Sequence, residues 1–115
     1  MSTVAVLLLV LVGLLHLYFL VLEMLLWTRP LGLKTFRNTP EKAEITRVLA
    51  ANQGLYNGFL AAGLFYAAIT GSREFAVFFL ACVVVAGAYG AWSVNKRIFF
   101  VQALPAIIGL LALFL

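Results

Sequence analysis

The chain has 115 residues, of which 65% are apolar and only 10% are charged, and its formal net charge is +4. A soluble domain of this size could not bury so much apolar surface, so the composition indicates one domain, residues 1–115, with a lipid bilayer as its partner. The basic residues are scattered beside apolar runs, which excludes a nucleic-acid-binding surface. The single cysteine, Cys82, excludes an internal disulfide and a cysteine-based zinc site, and we predict no metal.

Four apolar runs follow one another along the chain, and each has 18 or more residues. A helix of that length crosses about 30 Å of hydrocarbon at about 1.5 Å per residue, with slight thinning of the bilayer for the shorter runs. The sequence therefore predicts an all-α membrane protein with four transmembrane helices in a bundle. The predicted spans are about residues 4–27, 45–69, 75–92 and 98–115.

Basic residues are concentrated in two of the three connections between these runs. Seven of the eight follow the first and third runs, and one lies in the turn after the second: Arg29, Lys34, Arg37, Lys42, Arg47, Lys96 and Arg97 against Arg73. The positive-inside rule then predicts that the loop at about residues 28–44 is cytoplasmic and that both termini lie on the non-cytoplasmic side. We interpret the basic loop as an orientation device, with a site for anionic lipid as the alternative.

The sequence Thr39-Pro40-Glu41 is typical of a helix start. Threonine is a good N-cap, proline fits the first helical position, and an acidic residue in the first turn complements the helix dipole. We therefore predict that the second helix begins in water and enters the membrane near Arg47.

The second run is unusual because it contains amides. At about 100° per residue, one side of the helix is polar and the opposite side carries small residues; the polar side holds Asn52, Gln53, Tyr56 and Asn57, and the small side holds Gly54, Gly58, Ala61 and Ala62. Unpaired amides in lipid cost several kcal/mol, so we expect the polar side to face the protein interior. The small side is expected to allow close approach of a second helix.

Two ionisable residues lie in the first run. His16 and Glu23 are seven residues apart and so share a helix face, and Trp27 follows Glu23 by one turn. Ionisable residues inside a span usually face the bundle and are functional, so we predict a role in binding. Glu23 lies close to the cytoplasmic end, and pairing with interfacial water, Arg29 or Arg47 is the alternative; for His16 the alternative is an interhelical hydrogen bond.

Matching depths along the predicted helices places polar residues of all four in the cytoplasmic half. Glu23 is expected at the level of Asn52, and Tyr89 and Gln102 extend the polar set to the third and fourth helices. This arrangement predicts a polar pocket that opens to the cytoplasm. Pro105 is expected to bend the fourth helix and to free the carbonyl of Val101 near Gln102. Small residues at positions 86, 87, 90 and 91 predict tight packing of the third helix.

Nearly the whole chain resembles a family of small bacterial integral membrane proteins that is catalogued as a domain of unknown function. The resemblance rests on His16 and Glu23, on AANQGLYNGFLAAGL, and on GAYGAW followed by a basic turn. It implies four helices and a bacterial cytoplasmic membrane, and it implies no activity.

A second, more limited resemblance is to the membrane-associated proteins of eicosanoid and glutathione metabolism, which are trimeric four-helix enzymes or binding proteins. It rests on GLKTFRNTPEKAEITR and FLAAGLFY. In that family a basic and polar motif at the start of the second helix binds glutathione, and Arg47 is the position that carries over. The rest of that motif is replaced here by apolar residues and amides.

Three functions fit these patterns. The first is binding or transport of a small solute or amphiphile by the inward polar cluster, with Glu23 as the proton-coupled group; its residues are His16, Glu23, Asn52, Gln53, Tyr56, Asn57, Tyr89 and Gln102. The second is a trimeric enzyme acting on a lipophilic substrate, with Arg47 and Tyr89 contacting a cofactor of unknown identity and Glu23 or His16 handling protons. The third is a structural assembly subunit. Four helices enclose little space, so we expect a homo-oligomer, a dimer or a trimer.

Overall fold

The computed structural model describes all 115 residues, and every regular element in it is helical. The prediction of an all-α protein is therefore confirmed. In chain order the elements are α1 (Thr3–Leu20), a first π-helical turn (Val21–Leu25), α2 (Pro30–Phe36), α3 (Pro40–Thr70), α4 (Arg73–Ser93), a second π-helical turn (Phe99–Ala103) and α5 (Leu104–Leu113).

The helix α3 begins where the sequence predicts. Thr39 Oγ1 accepts a hydrogen bond from the Lys42 backbone N–H at 3.2 Å, Pro40 is the first helical residue, and Glu41 lies in the first turn. These contacts satisfy backbone donors that the first turn of a helix leaves without intrahelical partners. With 31 residues, α3 is roughly 46 Å long.

A tight turn separates α3 from α4. Gly71 adopts a left-handed conformation with φ +70°, and the following Ser72 N–H donates to the carbonyl of Ala67 at 3.1 Å. Ser72 then caps α4, because its Oγ accepts a hydrogen bond from the Phe75 N–H at 3.3 Å. Gly71 thus terminates α3, and Ser72 is the N-cap of α4.

The chain forms two compact units. Unit 1 comprises Met1–Leu14 and Leu60–Leu115, and unit 2 comprises Leu15–Phe59, so α1 and α3 each contribute a segment to both. The core of unit 1 is apolar throughout and consists of small and branched side chains: Ala5, Leu9, Val12, Leu64, Ala67, Ala76, Leu80, Val83, Ala106, Ala112 and Leu113.

Small residues allow close backbone contact within unit 1. A Cβ added at Gly87 of α4 would lie 2.6 Å from the backbone nitrogen of Ala103, and one at Gly90 would lie 2.9 Å from Ile98 Cγ2. Such contacts exclude larger side chains at these positions. The tight packing predicted for the third helix is therefore confirmed. The third helix, α4, packs against residues 98–103, which include the second π-helical turn.

The second π-helical turn immediately precedes Pro105, where the sequence predicts a bend. The Leu104 N–H donates to the carbonyl of Phe99, so the acceptor shifts from four to five residues back along the chain just before the proline. Proline lacks an N–H and cannot continue the regular ladder, and a π-helical turn is one known accommodation in a helix. Gln102 lies inside this turn and is half-buried.

Length and apolar composition suffice for two helices to cross a bilayer, namely Thr3–Leu25 and Arg73–Ser93. The apolar helix Phe99–Leu113 is shorter, and α3 is not among the sufficiently apolar helices. The observed helices differ from the predicted spans at their ends, since Trp27 lies beyond the first helix and Leu115 beyond the last. The predicted loop at about residues 28–44 differs from the prediction in that it contains the helix α2.

Candidate functional site

Glu23 is a buried carboxylate in unit 2. It lies in the first π-helical turn, where the Leu26 N–H donates to the carbonyl of Val21 at 3.1 Å, and only 7% of its surface is exposed. Asn57 Nδ2 donates a hydrogen bond to Glu23 Oε1 at 2.5 Å. π-helical turns occur frequently at functional sites, so this carboxylate and its amide partner form the centre of the candidate site.

The glycine side of α3 brings that helix close to Glu23. A Cβ added at Gly54 would lie 2.6 Å from Met24 Cγ and 3.1 Å from Glu23 Cβ, and one at Gly58 would lie 2.7 Å from Leu20 Cδ1. The absence of a side chain at these two positions permits the approach that the Asn57 hydrogen bond requires. The predicted contact through the small side of this helix is therefore confirmed.

The predicted inward orientation of the polar side is wrong for three of its four residues within unit 2. Asn52, Gln53 and Tyr56 are exposed, and 62% of the Tyr56 surface is accessible. The Asn52 amide donates to the carbonyl of Val48 in its own helix at 2.9 Å. The physical reason is that α3 packs against Leu20, Glu23 and Met24 through its small side, so most of the opposite, polar side is exposed.

The level of Glu23 along α3 is close to the predicted one, because a Cβ added at Gly54, two residues beyond Asn52, would lie 3.1 Å from Glu23 Cβ. The hydrogen-bond partner of the Glu23 carboxylate is nevertheless Asn57, five residues beyond Asn52 along α3. Helix tilt and the exact position at which a helix leaves the bilayer shift such levels by several residues, and only the packed structure determines them.

His16 is fully buried in unit 2, in agreement with its predicted inward position. Its ring packs edge-on against Phe19 with ring centroids 5.1 Å apart and an interplanar angle of 70°. This edge-to-face arrangement is a favourable aromatic geometry. His16 therefore precedes Glu23 by two helical turns in the same unit.

Tyr89 and Gln102 belong to unit 1, whereas the other six predicted ligand-binding residues belong to unit 2. Tyr89 is 56% exposed, and its ring packs against Trp92 at a centroid distance of 5.9 Å. The polar residues of the third and fourth helices thus lie in a different compact unit from Glu23, and the candidate site is built from unit 2.

Arg47, the predicted cofactor contact, is exposed on α3. Its Nε lies 3.3 Å from Glu44 Oε1, one turn earlier on the same helix. The alternative in which Arg47 pairs with Glu23 is therefore wrong, since each of the two has another partner. Surface pairs at this spacing contribute little to stability, roughly 0.3–0.5 kcal/mol.

Trp27 connects three segments of unit 2, a role that its position in the sequence does not predict. Its Nε1 donates to the carbonyl of Ala43 at 3.1 Å and to Thr46 Oγ1 at 3.2 Å, and its ring packs against Phe36 at a centroid distance of 4.9 Å. Tryptophan near a helix end indicates an interfacial position, but no local pattern indicates that its partners lie 16 and 19 residues away.

Comparison with known proteins identifies relatives without an assigned function. Residues 10–114 match the family described as "Protein of unknown function (DUF1304)". The chain is also similar to the "Uncharacterized protein YpaA" of Lactococcus lactis subsp. lactis (strain IL1403), with 30% identity over 118 residues and 99% of each chain covered. No solved structure matches the chain. The predicted resemblance to a family of unknown function is confirmed, and the chain belongs to the family described as "Protein of unknown function (DUF1304)".

Proposed function

We propose that this protein is a multi-pass membrane protein whose four apolar helical segments, including the shorter Phe99–Leu113, cross a bacterial cytoplasmic membrane, with both termini outside. The length and apolar character of Thr3–Leu25 and Arg73–Ser93 support this placement. Large apolar side chains at Ile69, Val85 and Leu111 are exposed, which suits contact with lipid rather than water. Although α3 is less apolar, its 31 residues exceed the thickness of the hydrocarbon layer.

Within this membrane placement, we propose that Glu23 and Asn57 bind a small solute or amphiphile that carries a cation or a hydrogen-bond donor. The observation that carries this proposal is a nearly buried carboxylate with one hydrogen bond, from Asn57. A carboxylate can accept about four hydrogen bonds. Asn57 bonds to Oε1, so the second carboxylate oxygen of Glu23 is the atom that we propose contacts the ligand.

The same side of α3 supports the proposal of a homo-oligomer. Gln53 and Tyr56 are exposed, and the structure shows no hydrogen bond from either side chain. Amides both donate and accept, so the same face on a second copy is a complementary partner. In a membrane, exposed amides are more stable against protein than against lipid. An oligomer of this kind covers the polar side of α3.

The glutathione-dependent alternative receives no support from the geometry. Arg47 pairs with Glu44 at the surface, and the amides beside it face outward. The assembly-subunit alternative makes a different prediction from ligand binding. It requires Glu23 only for folding or association and predicts no bound ligand. The following experiment separates the two.

The test uses protein in phosphatidylcholine nanodiscs and two matched amphiphiles, decylamine and decanoate, below their micellar concentrations. Binding is followed by the fluorescence of Trp27, which lies one turn from Glu23, in a Trp92→Phe background, with empty nanodiscs to correct for partitioning. We expect decylamine to bind and decanoate not to bind. Glu23→Gln should weaken decylamine binding by about tenfold or more, since the ion pair is lost.

Glu41→Gln is the matched control, because Glu41 is an exposed acid at the start of α3. It should leave decylamine binding unchanged. Equal binding to native protein and Glu23→Gln contradicts the proposed ligand site. A Glu23→Gln protein that fails to fold or to associate indicates the assembly role instead.

A further inference from the structure

The segment from Arg29 to Arg47 in unit 2 is strongly basic. It contains five basic and two acidic residues, a net charge of +3, and all five cations are exposed. The structure has one ion pair, Arg47 with Glu44. Four cations, Arg29, Lys34, Arg37 and Lys42, therefore have no acidic partner in the protein and are available to an external anion.

The helix α2 holds these cations on a rigid support. Gly32 is buried, and a Cβ added there would lie 1.9 Å from the carbonyl oxygen of Leu26, so α2 packs directly on the chain that leaves the first helix. The Trp27 ring packs on Phe36 of α2, and its Nε1 bonds to Ala43 of α3. Both ends of the short helix are thus tied to their neighbours.

Arg37 occupies a backbone position that favours glycine. It follows the last residue of α2 with φ +53° and ψ +44°, the left-handed conformation. The Asn38 N–H donates to Leu33 O at 2.9 Å and the Arg37 N–H to Lys34 O at 3.3 Å, which is the Schellman pattern of helix termination. Left-handed non-glycine residues are disfavoured and concentrate at functional sites. The left-handed conformation of Arg37 therefore points to a functional role for its charged side chain.

Apolar side chains lie next to these cations. Leu31 and Phe36 of α2 are partly exposed, at 47% and 39%. Apolar and aromatic groups beside basic residues are typical of segments that lie in the boundary between lipid head groups and acyl chains. A soluble acidic partner would match the cations but not these exposed apolar groups, whereas an anionic lipid matches both.

We infer that α2 and its flanking residues form a binding surface for anionic phospholipid head groups, with Arg37 as a principal phosphate contact. The cations bind phosphate, and Leu31 and Phe36 contact the upper acyl chains. This inference rests on the membrane placement proposed above and is independent of ligand binding at Glu23.

The experiment compares energy transfer from Trp27 to dansyl-labelled phosphatidylglycerol and to dansyl-labelled phosphatidylcholine in mixed nanodiscs, again in the Trp92→Phe background. The native protein should enrich phosphatidylglycerol around Trp27. Arg37→Gly should reduce this preference by about fivefold, the effect of one basic residue near an anionic surface. Because glycine fits the left-handed position, the same variant should unfold at an equal or higher temperature.

Two further variants complete the design. Arg37→Lys keeps the charge and should retain most of the preference. Arg73→Gly removes a cation in unit 1 and should not alter it.

Full phosphatidylglycerol preference in Arg37→Gly, or equal loss in Arg73→Gly, overturns the inference. Complete competition by millimolar inorganic phosphate also overturns it, because the site would then recognise a soluble anion. A protein that does not enter nanodiscs contradicts the membrane placement itself, whereas insertion without lipid preference contradicts only this inference.

Discussion

Unit 1 packs small and branched apolar side chains against one another, whereas unit 2 contains a buried carboxylate, Glu23, and a buried imidazole, His16. In unit 1 the close contacts are steric, with Gly87 against the backbone of Ala103. Unit 2 has steric contacts as well, such as Gly32 against the carbonyl of Leu26, and it adds directional hydrogen bonds from Asn57 to Glu23 and from Trp27 to Ala43. A substitution in unit 1 therefore tests packing, while one in unit 2 can also test a polar contact.

The largest effect is expected for Gly87→Ala in unit 1. The new methyl group would lie 2.6 Å from the Ala103 backbone nitrogen, and backbone cannot move away as the end of a side chain can. We expect a loss of about 3 kcal/mol in the free energy of unfolding, the upper part of the range for overpacked cores. Titration with a denaturing detergent, followed by circular dichroism, measures it.

Gly58→Ala is the matched control, because its methyl group would meet only the flexible end of Leu20. Its cost should be below about 1 kcal/mol, since alanine also has the higher helix propensity. Similar losses in the two variants would show that a contact with backbone costs no more than a contact with the flexible end of a side chain.

A smaller effect is expected for the polar pair of unit 2, measured as a double-mutant cycle of Glu23→Gln and Asn57→Ala. Asn57→Ala removes the donor to a buried carboxylate and should cost about 2 kcal/mol. The coupling energy between the two positions should be about 1 to 2 kcal/mol. Asn52→Ala, at an exposed amide bonded to its own helix, should change stability by less than about 0.5 kcal/mol. A coupling energy near zero would show that the hydrogen bond between Asn57 and Glu23 does not stabilise unit 2.

The smallest effect is expected for Trp27→Phe. Phenylalanine keeps the ring contact with Phe36 but loses the indole N–H, so we expect a cost of about 1 kcal/mol. Amide hydrogen exchange should rise in α2 and in the first turn of α3, because this contact ties them together. Trp92→Phe, at an 84% exposed position, should change neither quantity. Unaltered exchange in Trp27→Phe would show that α2 is held by other contacts.

The sequence was sufficient for features whose cause is local. The apolar runs predict helices because only helices satisfy their own backbone in an apolar environment. Thr39 and Pro40 predict the start of α3, and the structure agrees to the residue. The spacing of Gly54 and Gly58 predicts a close contact, which α3 makes with Leu20 and Glu23.

Only the tertiary structure determined which residues meet. Helical periodicity separates a polar side of α3 from a small side, but either side could face inward. In the structure, the glycines and Asn57 contact the first helical segment, whereas the exposed residues are Asn52, Gln53 and Tyr56. The pairing of Glu23 with Asn57 rather than with Arg29 or Arg47 depends on helix depth and on a π-helical turn. Neither leaves a local signal, because both arise when separate helices adjust to one another's side chains.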